Sequence, residues 1–506
     1  MSNASRLRRL RPYILGLIAV LLVGGIVYLA GTDRLSLLGS RSTSAAAGLT
    51  PSSPPIDRLR AAAAGANLVI CVIDAARADH VGCYGYPRDT TPNIDRLAEH
   101  SFVFENHFCQ YPETKVSTAS LFTSQYPDTH LAYGARTIPE STLTLAQGLR
   151  AAGRHTVLFS QNGYASPMWE LGRHFHEAYY EPHLKKAGRD LPDIWKPEAL
   201  LELIGEWLES APRTPFFAYV HFMPPHDPYI APPETKYFFA DKTPPDAWQS
   251  PYPFADIETV RRKAARPWSA REQHRMVNLY DGHLRYADWA VGELERLLDE
   301  AGLFETTLFI VTADHGEAFG EHGYRGHTLS VYDETIHIPL VVAFPGADPP
   351  AGRIPDLTQS IDLMPTIFDL LQVTYPGDGV QGRSLVPVMA GQRDELNDYI
   401  FARGGGQPPS YAVRNHSSLL LLYRGGELRA LYDLEDDPRQ VHNAIGEQPE
   451  RAAELEQAFN AFAHRQKVPP LHFTDPDAPA PEFPDVPQVE VTDEMRRALK
   501  ALGYLR

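Results

Sequence analysis

Cysteine is scarce. The 506-residue chain holds three, Cys71, Cys83 and Cys109, too few for a disulfide framework. Cys71 lies inside an apolar run and reads as a buried thiol, whereas a Cys83–Cys109 bridge is left open. Past the N-terminus no basic block follows, and the net charge is −16. No nucleic-acid partner is therefore expected. An acidic polymer would be met only at a locally positive or metal-bearing place. Internal repeats are absent. With 43 % hydrophobic residues, the chain is not short of core, which excludes a disordered protein.

One segment stands apart. Arg6, Arg8, Arg9 and Arg11 precede "YILGLIAVLLVGGIVYLAG", Tyr13 to Gly31, which carries no charge. About 20 apolar residues can span a bilayer as a helix. The arginines keep residues 1–12 in the cytoplasm. The expectation is a single anchor over 13–31, with the rest of the chain on the extracytoplasmic side, periplasmic or extracellular. A cleaved signal peptide is the competing reading. The run is longer than a usual signal core, and no small-x-small cleavage site follows at once. Thr32 to Pro55 is rich in Ser, Ala, Gly and Pro. A flexible linker is expected over 32–64, with folding from near Gly65.

From there short apolar runs recur: "NLVICVI" from Asn67, "HTVLFS" from His155, "PFFAYVHF" from Pro215, "TLFIVT" from Thr307 and "IPLVVAF" from Ile338. Each reads as a buried parallel strand. Helical patterns lie between them. Pro92 to Glu99 opens with Thr91 as N-cap and Pro at the first helical position. Leu143 to Ala152 and Leu200 to Glu209 are amphipathic. Gln273 to Ala301 is a long pattern closed by Gly302. Strands alternating with helices predict a doubly wound α/β sheet over 65–385. Ala231 to Pro267, dense in Pro and aromatics, reads as a surface insertion. Short turn-rich strands predict a small antiparallel subdomain over 386–470. Residues 471–506 read as an extended tail with a final short helix.

Ligands of open α/β sheets bind beyond the carboxyl ends of the strands. Asp74 follows the first run, Asp314 and His315 follow "TLFIVTA", and His226 follows "PFFAYVHFMPP". Two acids and an imidazole there suit one divalent cation: Ca2+, Mg2+ or Mn2+, with Zn2+ also compatible. Each also has a plainer reading, as a helix cap or a turn residue.

The pieces "NLVICVIDAARADHVGCYGYPRDTTPNIDRLA", "TASLFTSQYPDTH", "VHFMPPHDPY", "TLFIVTADHGEAFGEHGYRGH", "ETIHIPLVVAFPG", "DLMPTIFDLL" and "LYDLEDDPRQVHN" occur in this order. Together they resemble the sulfatase family of the alkaline phosphatase superfamily. The resemblance implies an α/β sandwich around a large mixed sheet, with a small C-terminal α+β subdomain. It implies Asp74, Asp314 and His315 as metal ligands and Thr114 as nucleophile, itself metal-bound. In the family that position is Cys or Ser within Cys/Ser-x-Pro-x-Arg, oxidised to formylglycine. Here it reads Thr114-Lys115-Val116-Ser117-Thr118. Oxidised threonine would be a ketone, not an aldehyde. The arrangement is more similar to relatives with Thr here, the phosphoethanolamine and phosphoglycerol transferases, and His327 then matches a histidine of that branch. Ala75 stands where many sulfatases have a second Asp.

Thr114 precedes a helical pattern, so its competing reading is a simple N-cap. His226 and His327 are expected to meet substrate oxygens and the leaving group, though His226 in its Pro-rich turn could merely order it. Lys115 or Arg77 would offset charge on the transferring group, or be structural. The function expected is a membrane-anchored, metal-dependent hydrolase or transferase acting on a phosphoester of a lipid headgroup or an envelope glycan. A sulfatase without formylglycine is the alternative, and a binding protein that has lost its chemistry is the third reading.

Overall fold

The computed structural model describes residues 55–180, 196–210, 214–229, 231–239, 270–346, 349–392, 396–405, 409–423 and 429–466. The expected anchor, most of the linker, the body of the 231–267 insertion and the 471–506 tail lie outside them. Among the described residues no helix is long and apolar enough to cross a membrane.

The strands of the main sheet are β1 (Asn67–Ile73), β2 (Phe102–Phe108), β3 (His155–Ser160), β4 (Glu177–Tyr179), β5 (Phe216–Phe222) and β6 (Thr307–Ala313). A small hairpin, β7 (Ala318–Phe319) and β8 (Arg325–Gly326), comes next, followed by β9 (Leu340–Ala343) and β10 (Gly352–Gln359). The sheet runs in the order β10-β2-β9-β6-β1-β5-β3-β4. Its centre is parallel, and β9 is antiparallel to both β2 and β6. The sheet is therefore mixed. All five apolar runs are strands, four of them parallel as expected, whereas the fifth, β9, is antiparallel. They read as continuous runs because both faces are covered, so side chains of either parity are buried. In β1, Val69, Cys71 and Ile73 face one core layer, and Leu68, Ile70 and Val72 face the other.

The helices are α1 (Ile56–Ala63), α2 (Pro92–Ala98), α3 (Thr114–Thr123), α4 (Leu145–Ala151), α5 (Pro197–Glu209), α6 (Ala270–Glu300), α7 (Leu363–Leu370) and α8 (Pro449–Arg465), joined by shorter turns. Helices α5 and α6 supply Leu200, Ile204, Trp207, Leu284 and Val291 to one layer. Helices α1, α4 and α7 supply Leu59, Leu149, Ile367 and Phe368 to the other. Gly302 ends α6 as expected, at φ +68°, with its N–H on Asp299 O at 2.8 Å.

Several expectations need correction. Folding starts at Ile56, inside the expected linker, because Leu59 and Ala63, one helical turn apart, are fully buried and Arg60 pairs with Asp369 at 2.7 Å. Thr91 occupies the cap position of α2 without a capping bond; its hydroxyl accepts from Gly82 N at 2.8 Å instead. Cys83 and Cys109, whose pairing the sequence leaves open, are free thiols. The strands β2 and β10 carry Glu105, Asn106 and Pro355, so they did not read as apolar runs. β10 is an edge strand with a register shift between Ile354 and Leu357, where proline is tolerated.

The C-terminal part is an antiparallel sheet of β11 (Ile400–Arg403), β12 (Ser410–Arg414), β13 (Ser418–Tyr423) and β14 (Arg429–Asp433) in sequential order. Phe459 and Phe462 of α8 pack on Tyr411, Val413 and Leu420. Ala402, Ala412 and Leu421 join the main core from the other face. Val386, Val388 and Met389 also belong to the main core, so the expected boundary at 385/386 falls too early. Residues this apolar stay with the larger layer that buries them.

Leu59→Ala tests the early start. Emptying that site should cost about 2–5 kcal/mol, read as a lowered denaturation midpoint. A change below about 0.5 kcal/mol would place α1 outside the cooperative unit.

Candidate metal centre and nucleophile

Four neighbouring parallel strands, β6, β1, β5 and β3, end at one level. Ile73 lies opposite Ala313 and Phe222, and Ser160 lies opposite His221. The residues at or just past these ends are Asp314, Asp74, His221 and Asn162. Strand register alone thus gathers two acids, an imidazole and an amide. Asp74 and His221 are fully buried, and Asp314 nearly so.

The carboxylates are satisfied on one side only. Asp74 Oδ2 accepts from Asn162 Nδ2 at 2.5 Å and faces His221 Nε2 at 3.1 Å. Asp314 Oδ1 accepts from the Ala75 and His315 backbone N–H groups at 3.0 and 2.9 Å. Asp74 Oδ1 and Asp314 Oδ2 are buried without any hydrogen-bond partner. Both orphaned oxygens face His315 Nε2, at 3.7 and 3.5 Å. Two such oxygens are costly to bury without positive charge.

His315 is set as an acceptor. Its Nδ1 lies 2.8 Å from Gly316 O, which can only accept, so Nδ1 carries the proton and Nε2 keeps a lone pair. Burial lowers its pKa, in keeping with a neutral ring. That lone pair points to the orphaned oxygens and to Thr114 Oγ1 at 3.3 Å. Burial would raise Asp74, but His226 and the hydrogen-bonded His221 outweigh it and hold the carboxyl well below its usual range.

Thr114 is the first residue of α3, not its cap. Glu113 holds the cap position with extended backbone and no side-chain cap bond. The Thr114 hydroxyl instead meets His315 Nε2 and, at 3.2 Å, Asn162 Nδ2. The sequence-predicted donors Asp74, Thr114, Asp314 and His315 therefore converge. Oxygen and imidazole donors around two orphaned carboxylate oxygens fit a divalent cation.

His221 and Asn162 were not anticipated. Asp74, His221 and Asp314 offer ligand atoms within 4.8 Å of one another. The signal for His221 was a lone histidine one residue before the end of an otherwise apolar strand, and that for Asn162 was a polar residue two past "HTVLFS". Burial pushes His221 down, but the hydrogen bond to Asp74 raises it above its ordinary value.

His226 and His327 close one side of the site. Ring centroids lie 4.4 Å apart for His315–His327 and 4.9 Å for His226–His327. Glu317 Oε2 holds His327 Nδ1 at 3.2 Å. Burial lowers His327, yet Glu317 prevails and pushes it up to about 9. The expected charge-offsetting cations sit differently. Lys115 Nζ donates to Gly134 O and lies 4.1 Å from the centre of the Trp169 ring; burial pushes it down to about 8. Arg77 is bound by Asp79, Glu321 and Glu317 O. Neither set of contacts includes Thr114 or the Asp74–Asp314 pair.

A family model for sulfatases matches residues 66–373. The chain belongs to the sulfatase family. Residues 320–465 also match the C-terminal model of N-sulphoglucosamine sulphohydrolase. Among relatives of this sulfatase-family chain is an ulvan-active sulfatase of Formosa agariphila, 25 % identical, covering 75 % of this chain and 77 % of the relative. A multifunctional alkaline phosphatase superfamily protein of Trinickia caryophylli is 26 % identical, covering 79 % and 95 %. The fold is shared with the phosphonate monoester hydrolase of Agrobacterium radiobacter, at TM-score 0.65 and 20 % identity over 79 % of this chain and 96 % of that one. Family membership makes the chain an ester hydrolase of this superfamily, and a divalent metal belongs to the family's chemistry.

Asp314→Asn checks the ligand set. The backbone donors to Asp314 Oδ1 remain usable by an amide, so the variant should fold. Bound metal by elemental analysis should fall at least about tenfold, since even outer partners of ligands cost that much. Unchanged stoichiometric metal would remove Asp314 from the set.

Proposed function

We propose that this sulfatase-family hydrolase cleaves or transfers a phosphoester group through Thr114. The observation that carries the reading is the convergence of the Thr114 hydroxyl with His315 Nε2 and the two orphaned carboxylate oxygens. A divalent cation held by Asp74, Asp314, His315 and Thr114 would supply positive charge that favours the ionised hydroxyl and offsets charge on the ester oxygens.

The chain's own residues then divide the work. Thr114 Oγ1, its proton released to solvent on ionisation, forms a bond to phosphorus as the bond to the leaving oxygen breaks. His327, an imidazolium beside Glu317, gives its proton to that oxygen. Asn162 and the first amides of α3 orient the ester oxygens. Water or an acceptor alcohol, giving its proton to the now neutral His327, then displaces Thr114, returning the enzyme. A sulfate ester is the second reading, favoured by the sulfatase among the relatives. Threonine, unable to become an aldehyde, favours phosphorus.

The uncharged run over 13–31 after four arginines supports a single anchor, with the catalytic domain outside. Substrates at hand there are lipid headgroups and envelope glycans. Protease added to intact spheroplasts should digest the bulk of the chain; full protection overturns this topology.

Thr114 variants test the mechanism on full-length protein, against aryl sulfate, phosphate monoester, phosphodiester and phosphonate substrates with each of Ca2+, Mg2+, Mn2+ and Zn2+. Thr114→Ser keeps a hydroxyl and should retain part of the phosphoester activity. Thr114→Asn should fold and be inactive. Brief incubation of wild type with substrate should leave a phosphorylated Thr114 by mass spectrometry. Because the folded pKa of His327 is raised, its proton is present below that value and lost above it, so turnover should fall as pH rises through about 9. Wild-type turnover by Thr114→Asn would sink the mechanism, and turnover of aryl sulfate alone would establish the second reading.

A further inference from the structure

Between Glu317 and His327 the chain makes the β7–β8 hairpin, whose tip carries His322. Its ring stacks on Tyr332 with centroids 3.7 Å apart and planes 1° from parallel. The two ring nitrogens face three acceptors. Nδ1 lies 2.8 Å from Glu334 Oε1. Nε2 lies 3.2 Å from Arg439 O and 3.0 Å from Gln440 O. A neutral imidazole has one N–H, which would leave the other nitrogen's lone pair against an oxygen. Only a ring protonated at both nitrogens satisfies all three.

We propose that His322 is held as an imidazolium and acts as a positioning residue, tying the Arg439–Gln440 loop of the C-terminal part to the hairpin so that Glu317 keeps His327 in place. This rests on the reading of His327 as proton donor. The path is short. Glu334, the partner of His322, accepts from Glu317 N through its backbone carbonyl at 2.9 Å, and Thr335 O accepts from Gly316 N at 2.9 Å. There is no slack at this contact: a Cβ on Gly316 would stand 2.2 Å from Glu334 O. Movement of Glu334 therefore passes to Glu317, and from its carboxylate to His327.

The groups around His322 favour its charge. Glu334 is the carboxylate bonded to it. Tyr332 and Tyr432 join hydroxyls at 2.8 Å behind the stack, and Tyr324 from the hairpin lies near Tyr332 with its ring tilted by 45°, centroids 6.4 Å apart. Asp333 is neutralised by Arg414 at 2.8 Å, and Arg439 contributes its carbonyl. Burial pushes the imidazole down, but the bond and charge of Glu334, aided by the two carbonyls, raise it above its ordinary value. The tie is thus complete below the unfolded value of about 6.5 and is lost as pH rises through the raised folded one.

The test uses full-length, metal-loaded protein with isotope-labelled histidine. The His322 ring is assigned by the NMR signal missing from His322→Gln, or from the signal that Glu334→Gln moves should the first variant not fold. Wild type should show the doubly protonated ring at neutral pH, and Glu334→Gln should return it towards ordinary titration. Both variants should lower kcat about ten- to a hundredfold with KM and bound metal unchanged, and should speed amide exchange over 316–327. A neutral ring at neutral pH, or variants with wild-type kcat and exchange, overturns the proposal. If no ester is turned over by wild type, the functional reading fails by itself. The ring state and exchange over 316–327 still decide whether His322 positions the hairpin.

Discussion

Two buried carboxylates at adjacent strand ends constrain everything around them. Like charges within 4.8 Å repel by about 3–4 kcal/mol even at an effective dielectric near 20. The parallel register of β1 and β6 nevertheless brings Asp74 and Asp314 to one level. The fold answers with donors on their outer sides, from Asn162, His221 and the Ala75 and His315 amides. The inner oxygens stay unsatisfied. Ala75 takes a left-handed backbone, φ +58°, and its N–H reaches Asp314 from there. Such strain persists where surrounding structure over-determines it, and it clusters at functional sites.

The histidines show how one residue type takes different states within a few ångströms. His315 faces a carbonyl and stays neutral, leaving a lone pair for the centre. His327 faces the Glu317 carboxylate and keeps its proton. Burial acts in the same direction on both; the partner on Nδ1 decides the outcome. His315 thus offers a lone pair to the centre and His327 a proton beside it, their ring centroids 4.4 Å apart, a separation of states that acid–base chemistry needs near neutral pH.

Much of this was legible in the sequence, for a physical reason. Strands buried on both faces must be apolar at every position, so the central strands stood out as runs. Residues just after them necessarily lie at the sheet's carboxyl edge, which made Asp74, Asp314 and His315 readable. Strands β2 and β10 were hidden because polar residues and Pro355 interrupt them. His221 was hidden for the opposite reason: it lies within an apolar run and reads as part of the core. Arg77 and Lys115 were legible as cations but not by partner. Sequence gives no account of Glu321, Asp79 or the Gly134 carbonyl folding back onto them.

Thr114 stands between two complementary deficits. On one side are orphaned carboxylate oxygens, which call for positive charge. On the other is the start of α3, where Glu113 provides no side-chain cap and Ser117 is the first to bond back, to Glu113 O at 3.0 Å. The preceding amides of a buried helix start call for negative charge. Filling either deficit alone leaves the other exposed, and a protein side chain filling both would occupy the site permanently. A divalent cation together with an anionic ester satisfies both at once. The hydroxyl lies at their junction on a helix packed into the core through Ala119 and Phe122. In the proposed role of nucleophile, a hydroxyl on a rigid element needs little reorganisation to meet its target. The polar gaps that weaken this part of the fold are therefore the same features that equip it for ester chemistry.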